Sequence, residues 1–499
     1  MSKKLNIGII GAGYASLSTA CYLAHAGHQV TMFEKNDSIG GRSRQLKAKG
    51  FTFDMGPTWY WMPDVFDRFF EDMGKKTIDY YDLHRTDPAY RVVFGKEDFM
   101  DMPTDPEALI ALFEAEEKGA GEALRKFLKK AEDNYNIAMK DLVYQPGLSP
   151  MELVSWKTIS KLSLFIKTIS SDVRSRFKSH KLISILEFPV LFLGAKPSDT
   201  PAFYNFMNYA DMSLGTWHPK GGMFSVVQAM EKVALENGVS ICTSANVEAI
   251  QVNDSGAAKG ILVDGETVEF DVVISGADYA HSESLLPEKY RVYSKKFWES
   301  RTYAPSALLF YVGLDKKLKN ILHHTLFFDT SFEEHARAIY DSPDWPKEPM
   351  FYASFPSQTD DFLAPEGHEA CIFLIPIAPG LEDTEEIREK FFHMIMGRLK
   401  ELTGEETDGH IVFKQSYCLK DFVKDYNSFK GNAYGLANTL MQTAFLRPSI
   451  VSKKVKDLYF TGQLTVPGPG VPPSLISGKI VADKVIADHS NYYRYASNL

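Results

Sequence analysis

Gly11-Ala12-Gly13-Tyr14-Ala15-Ser16 follows a β-prone run at residues 5–10 and opens an apolar helical pattern through Leu17, Ala20, Leu23 and Ala24. The text predicts strand, tight turn, helix. The first turn of a helix leaves N–H groups unpaired and carries a partial positive charge, so a glycine turn that admits a close backbone approach binds a pyrophosphate there. Gly11 and Gly13 serve that purpose, while the third position of the fingerprint, where close helix-to-strand packing favours glycine, is Ser16. A second strand, Gln29–Phe33, ends at Glu34. The carboxylate of Glu34 stands about twenty residues beyond the glycines, where an acid accepts hydrogen bonds from a ribose diol.

Ile39-Gly40-Gly41-Arg42 comes soon after. A glycine pair followed by a fixed cation suits a chain passing beside a diphosphate, and it favours a flavin dinucleotide over a nicotinamide one. The next stretch, Phe51-Thr52-Phe53-Asp54-Met55-Gly56-Pro57-Thr58-Trp59, alternates as a short strand into a Gly-Pro turn and brings small residues and aromatics towards the same place. Near the end, Asp457-Leu458-Tyr459-Phe460-Thr461-Gly462-Gln463 reads as a strand closed by a glycine, and a Pro/Gly-rich loop follows. A helix from about Ser474 turns its N-terminus back towards the flavin.

These pieces lie far apart in a chain of 499 residues, long enough for two or three domains. With 44% hydrophobic and 24% charged residues it is neither disordered nor fibrous. A net charge of −9 offers no general attraction for phosphate backbones, which argues against a nucleic-acid partner. Cys21, Cys242, Cys371 and Cys418 are widely separated, so neither a zinc site nor a disulfide framework is expected, and a reducing cytoplasm fits. No apolar run reaches the ~20 residues of a membrane-spanning helix, because Glu187 and Pro189 interrupt the richest stretch. The apolar start could be taken for a secretory signal; its ordered glycines and the strand partner that cleavage would remove argue otherwise.

The dinucleotide domain is therefore assembled discontinuously, from residues 1–105, 201–284 and 416–499. Residues 106–200 read as a helical insert, and residues 285–415 as a substrate domain whose alternating runs at 306–312 and 370–375 predict an antiparallel sheet. Within the insert, residues 156–181 carry Lys157, Lys161, Lys167, Arg174, Arg176, Lys178 and Lys181 against the single acid Asp172. Trp156, Ile159, Leu162, Phe165, Ile166 and Ile169 recur there at helical spacing. Such a helix either packs on the protein with its lysines solvated or lies on an anionic membrane. Trp59, Tyr60, Trp61, Phe188, Phe192, Phe203, Tyr204 and Phe206 are candidates to line an apolar tunnel, each with plain core as the alternative. His323-His324 has no third ligand at a sensible spacing, so the pair reads as structural and no metal site is expected.

Taken together the motifs resemble those of the bacterial-type phytoene desaturases, within the flavin amine oxidase-like group. The resemblance rests on Gly11-Ala12-Gly13, Glu34-Lys35, Gly40-Gly41-Arg42 and Phe53-Asp54-Met55-Gly56-Pro57, and further along on Pro219-Lys220-Gly221-Gly222-Met223, Val272-Val273-Ile274-Ser275-Gly276-Ala277-Asp278 and His323-His324-Thr325. Gln442-Thr443-Ala444-Phe445-Leu446-Arg447-Pro448 and the stretch from Asp457 to Pro472 complete it; where the family carries Ala-Gly-Thr-His, this chain has Gln463-Leu464-Thr465-Val466. The resemblance implies an α/β fold with a Rossmann-like FAD-binding domain, an antiparallel-sheet substrate domain and the helical insert. It implies that FAD is held by Gly11, Gly13, Glu34, Gly41, Arg42, Gly56, Pro57, Thr58, Val247 (at the adenine), Gly462, Gln463 and Val471. Gln463 stands where related flavoproteins place an acid on the ribityl chain.

The implied activity is stepwise desaturation of phytoene to lycopene or a related coloured carotene: oxidised flavin takes a hydride and the resulting allylic cation loses a proton. Glu152, in the insert just before the basic island, stands where related desaturases carry an acid and is the candidate proton acceptor. The implied partners are a long apolar carotenoid, a peripheral membrane surface on the cytoplasmic side, and quinone or oxygen as electron acceptor. A sister carotenoid desaturase, isomerase or ketolase would show the same fingerprint. A flavin-free escort of prenylated proteins shares the fold, but the intact Gly11, Gly13, Glu34, Gly41 and Arg42 argue against it.

Overall fold

A computed structural model describes residues 4–153, 167–191 and 194–490. Its organising element is a five-stranded parallel sheet in the order Leu458–Phe460, Val272–Ser275, Asn6–Ile10, Gln29–Phe33, Ser240–Cys242. Strands from three distant parts of the chain thus share one sheet. The central strand Asn6–Ile10 is flanked by partners on both sides, and its apolar residues Ile7 and Ile9 are fully buried.

The helix Tyr14–His25 packs against the long final helix Val471–His489, and glycine makes that contact possible: a Cβ on Gly478 would meet the carbonyl of Ala15 and the side chain of Ser18. The final helix starts at Val471, earlier than the expected Ser474. Pro472 and Pro473 occupy its first turn, where a missing N–H breaks no helical hydrogen bond.

A second, seven-stranded sheet runs Ile411–Tyr417, Ser306–Leu314, Glu369–Ile377, Phe351–Ser354, His324–Phe327, Tyr90–Gly95, Asp98–Met102. Its pairs are antiparallel except that His324–Phe327 lies parallel to Tyr90–Gly95. Two of its strands therefore come from residues 90–102, which the sequence reading grouped with the nucleotide domain. The strand Ser306–Leu314 does not alternate between core and solvent: all nine residues are buried. Phe310 packs with Phe392 on one face, and Tyr311 with Phe53 on the other, so both faces meet apolar layers.

Residues 106–212 are largely helical where described, with Pro106–Glu116, Ala120–Ile137, His180–Leu191 and Phe206–Met212 as the main pieces. Residues 156–166 of the basic island lie outside the described residues. In the described remainder, Arg174 pairs with Glu187 and Glu333, Arg176 with Asp172, and Lys181 with Asp98. Three of the five cations in that part of the island are thus paired within the protein, while Lys167 and Lys178 are exposed. No helix among the described residues is long and apolar enough to cross a membrane.

Candidate active site

At the C-terminal ends of the parallel strands lies a cavity of about 980 Å³. It is lined by every residue expected to hold the dinucleotide, Gly11, Gly13, Glu34, Gly41, Arg42, Gly56, Pro57, Thr58, Val247, Gly462, Gln463 and Val471, and by Glu152. Sequence separation hides this proximity, and the three-part sheet creates it.

The polar end is built by the first strand–helix turn. Gly13 is the N-cap of the helix Tyr14–His25 and supplies no side-chain cap, so the first-turn amides stay available to an anion. Gly11 takes a positive φ of 87°, which a side chain would resist, and no atom lies within 4 Å of where a Cβ of Gly13 would stand. The carboxylate of Glu34 accepts the Ala12 N–H at 2.9 Å on Oε2, and the N–H and side-chain amide of Asn36 on Oε1. Three acceptor directions are taken, and one on Oε2 remains for a ribose hydroxyl. Glu34 thus shapes the glycine turn and keeps one acceptor free at the cavity.

Arg42 lines the same cavity, half-buried, with its guanidinium 5.2 Å from the centre of the Tyr426 ring. Its Nη2 donates to the carbonyl of Asn432 at 3.1 Å, its Nε has no partner, and it forms no ion pair among the described residues. Desolvation pulls its pKa down, while Asp278 and two tyrosines oppose the shift. A half-buried cation with an orphaned donor beside an open glycine cradle is suited to an anionic group such as a diphosphate. Gly56 is required here because a Cβ would strike the Arg42 carbonyl.

Two further carboxylates brace the walls. Asp54 accepts the N–H groups of Met223 (2.6 Å) and Phe224 (3.2 Å) at the start of the helix Phe224–Glu236; burial pushes its pKa up to about 6, against those two hydrogen bonds. Gly222 leaves room for it, since a Cβ there would overlap the carboxylate. Asp360 accepts from Gly221 N–H at 2.6 Å and sits 3.1 Å from Nε2 of His218. The glycine pair at 221–222 therefore holds two carboxylates in place.

Beyond the nucleotide end the same cavity becomes apolar. Trp59, Trp61, Phe188, Phe203, Tyr204 and Phe206 line it rather than serving as plain core, joined by Leu326, Phe328, Phe332, Met350, Tyr352 and Leu374. Tyr60 does not line it: the side chain stacks on Phe66 and its hydroxyl meets that of Tyr81 at 2.7 Å, in the core. Phe192 lies outside the described residues.

Glu152 reaches the cavity wall, but its oxygens are mostly engaged locally. They accept the N–H groups of Gly147 (2.7 Å, on Oε2) and of Leu148 (2.9 Å) and Ser149 (3.0 Å, both on Oε1), so the carboxylate organises the 147–152 loop and keeps one acceptor direction on Oε2. His323 and His324 belong to no group of three or more potential metal ligands among the described residues. Neither is on the surface: His324 is fully buried with Nδ1 at 2.7 Å from the Tyr352 hydroxyl. Tyr352 and Leu326 escaped the sequence reading, because a lone tyrosine and a lone leucine in strand text carry no motif.

The family model described as flavin containing amine oxidoreductase matches residues 15–486. The chain is 42% identical over 493 residues to a carotenoid 3,4-desaturase of Haloarcula japonica, covering 97% of this chain and 98% of the relative. It is 32% identical over 491 residues to a zeta-carotene-forming phytoene desaturase of Myxococcus xanthus, covering 96% and 93%. Among solved structures, an oxidoreductase from Methanosarcina mazei superposes with a TM-score of 0.61 at 19% identity, over 96% of this chain and 99% of that one.

Proposed function

The chain belongs to the flavin-containing amine oxidoreductases and, within them, to the carotenoid desaturases, and on that footing we propose that it oxidises a late, partly desaturated carotenoid, acting as a 3,4-desaturase. It is an FAD oxidoreductase acting on carbon–carbon bonds. The observation that supports the reading is the continuity of the cavity: the dinucleotide cradle and an aromatic-walled apolar chamber form one space. The identity of 42% to the 3,4-desaturase, against 32% to the phytoene desaturase, favours the late substrate. Phytoene is the second reading, supported by the latter match over nearly the full chain.

The flavin, when bound, supplies the hydride acceptor. The rest falls to the protein. Gly11, Gly13 and Arg42 hold the diphosphate, Glu34 the adenosine ribose, and Val247, buried at the start of the strand Val247–Val252, borders the adenine. Arg447, buried and without an acid, donates to the carbonyls of Gln463, Thr465 and Leu436 and so sets the path of the loop before the final helix. Trp59, Phe188 and Phe206 keep water from the polyene, which preserves a carbocation long enough to lose a proton in the right direction.

The substrate dissolves in membranes, and the cavity rim fits delivery from one. Leu148, Met151, Met441 and Leu446 are exposed, and Gly147 lies against Ala444, which brings their two loops together at the cavity. Exposed apolar residues gathered at a pocket mouth mark a contact surface. We place the protein on the cytoplasmic face of a membrane, attached peripherally, with quinone or oxygen as terminal acceptor. The test is incubation of the FAD-loaded protein with liposomes carrying either phytoene or lycopene, with and without oxygen or quinone, followed by pigment separation. A product with one more double bond from lycopene supports the late substrate; conversion of phytoene alone supports the second reading, and conversion of neither refutes both.

A further inference from the structure

One wall of the apolar chamber carries a chain of hydrogen-bonding groups that leads from Thr58, at the expected flavin site, into the second sheet. Thr58 and Tyr352 both line the cavity, and their hydroxyl oxygens are 2.8 Å apart. The Tyr352 oxygen lies 2.7 Å from Nδ1 of His324. The strands His324–Phe327 and Phe351–Ser354 pair antiparallel with Leu326 opposite Tyr352 and His324 opposite Ser354, so His324 and Tyr352 are diagonal neighbours on the face that Leu326 presents to the cavity. His324 is fixed from its other side by stacking on Trp59, with ring centroids 4.2 Å apart and planes 16° from parallel. Its Nε2 is buried and has no partner.

We propose that Thr58, Tyr352 and His324 form the proton acceptor of the desaturation, with the proton entering at the hydroxyl pair and coming to rest on Nδ1 of His324. The inference rests on the carotenoid reading above. After hydride loss to the flavin, the C–H bond beside the cationic carbon breaks and its electron pair becomes the new double bond. The released proton joins the Thr58 oxygen; Thr58 passes its own proton to Tyr352, and Tyr352 passes its own to Nδ1, leaving an imidazolium. An allylic cation is so strong an acid that a hydroxyl backed by a neutral imidazole suffices, provided both are already in place in a space without water.

The imidazole is neutral at rest. Burial, and the proximity of His218, hold His324 well below the ordinary histidine range. The titratable groups facing it are Tyr352 from the neighbouring strand, His323 on its own strand (4.2 Å between ring centroids) and, behind His323, His218 on the strand Trp217–Pro219. His218 is held by Asp360, so a carboxylate terminates the row of rings, while the hydrogen-bonded chain itself ends at Nδ1 of His324. His324 acts through Tyr352 and is a positioning residue, whereas Thr58 and Tyr352 border the substrate space.

The test uses the full chain loaded with FAD and the carotenoid liposomes that the wild type converts. Tyr352→Phe and His324→Phe, which keep the ring packing, are expected to lower kcat about 100-fold at unchanged KM and flavin occupancy. Nitrogen-15 histidine spectra of the apoprotein supply a readout independent of turnover: Nδ1 of His324 is unprotonated, and its resonance moves in Tyr352→Phe. A kcat for Tyr352→Phe within twofold of wild type, or a protonated Nδ1, overturns the proposal. Should Tyr352→Phe lose FAD, His324→Phe carries the kinetic test with the same criterion. Wild type that holds FAD yet converts no carotenoid refutes the underlying substrate reading instead, an outcome distinct from an active wild type indifferent to these substitutions.

Discussion

The Oγ of Ser16 occupies the space that a Cβ on residue 276 would need, and residue 276 is glycine. The dinucleotide fingerprint places its third glycine at position 16 so that helix and strand can approach. Here the small residue has moved across the contact, to the end of the strand Val272–Ser275, and the close approach survives with serine on the helix. Gly276→Ala is expected to destabilise the fold by about 1–3 kcal/mol and to weaken FAD binding, since relief of the overlap must displace the glycine turn. Ser16→Gly should recover most of that loss. Thermal melts of the two single variants and the double variant give the coupling directly; additive effects would show that the two positions do not share space.

Arg42 separates binding from stability. As a half-buried cation with no carboxylate partner among the described residues, it costs the empty protein desolvation energy that a bound diphosphate offsets. Arg42→Met should raise the FAD dissociation constant by about 10–100-fold while leaving the apoprotein no less stable than wild type. Isothermal titration with FAD and apoprotein melts check both halves.

Asp211 supplies a pH dependence of stability. Its carboxyl is buried, accepts the Tyr90 hydroxyl at 2.7 Å on Oδ2 and has its other oxygen unpartnered; burial raises its pKa to about 7. Because the folded value lies above the unfolded one, the folded state binds the extra proton between about pH 4 and 7, and stability falls as pH rises through that window. The contribution is fully present below pH 4 and gone above 7. Asp211→Asn should flatten the dependence, and its advantage over wild type should grow from pH 4 to pH 8, to at most about 4 kcal/mol. Urea unfolding across that range measures it; parallel curves for the two proteins would exclude Asp211 as the cause.

Glu152 is a loop anchor by its contacts, which sets an expectation opposite to that for Tyr352. Glu152→Gln should reduce kcat less than about tenfold, because an amide retains one acceptor for the 147–149 amides and the proton leaves by way of Tyr352. A loss of about 100-fold with unchanged KM would return the proton-accepting role to Glu152.

Much of the candidate nucleotide site was legible because its residues act through backbone geometry. Glycine turns, a strand-ending acid and a glycine–arginine step have fixed local spacing, and Gly11, Gly13, Glu34, Gly41 and Arg42 fall on one cavity. What depends on tertiary neighbours was not legible. Whether an aromatic lines a tunnel or fills a core is decided by what packs beside it, so Trp59 and Trp61 face the cavity while Tyr60 between them points away to Phe66 and Tyr81. The strands at 90–102 join the second sheet through a pairing more than two hundred residues away, which no local pattern announces. His323-His324 offered no metal spacing and read as structural; the meaning of His324 lies in Tyr352, a residue of another strand.

The central claim is that FAD held in this cavity removes hydrogen from a carotenoid. Its most direct test mixes the FAD-loaded protein with lycopene or phytoene liposomes in the absence of oxygen and quinone and follows the flavin absorption near 450 nm, an approximate position set by the oxidised cofactor itself. The account predicts bleaching of the flavin together with one new carbon–carbon double bond per flavin bleached. A flavin that stays oxidised with both carotenoids, at full occupancy, would contradict it.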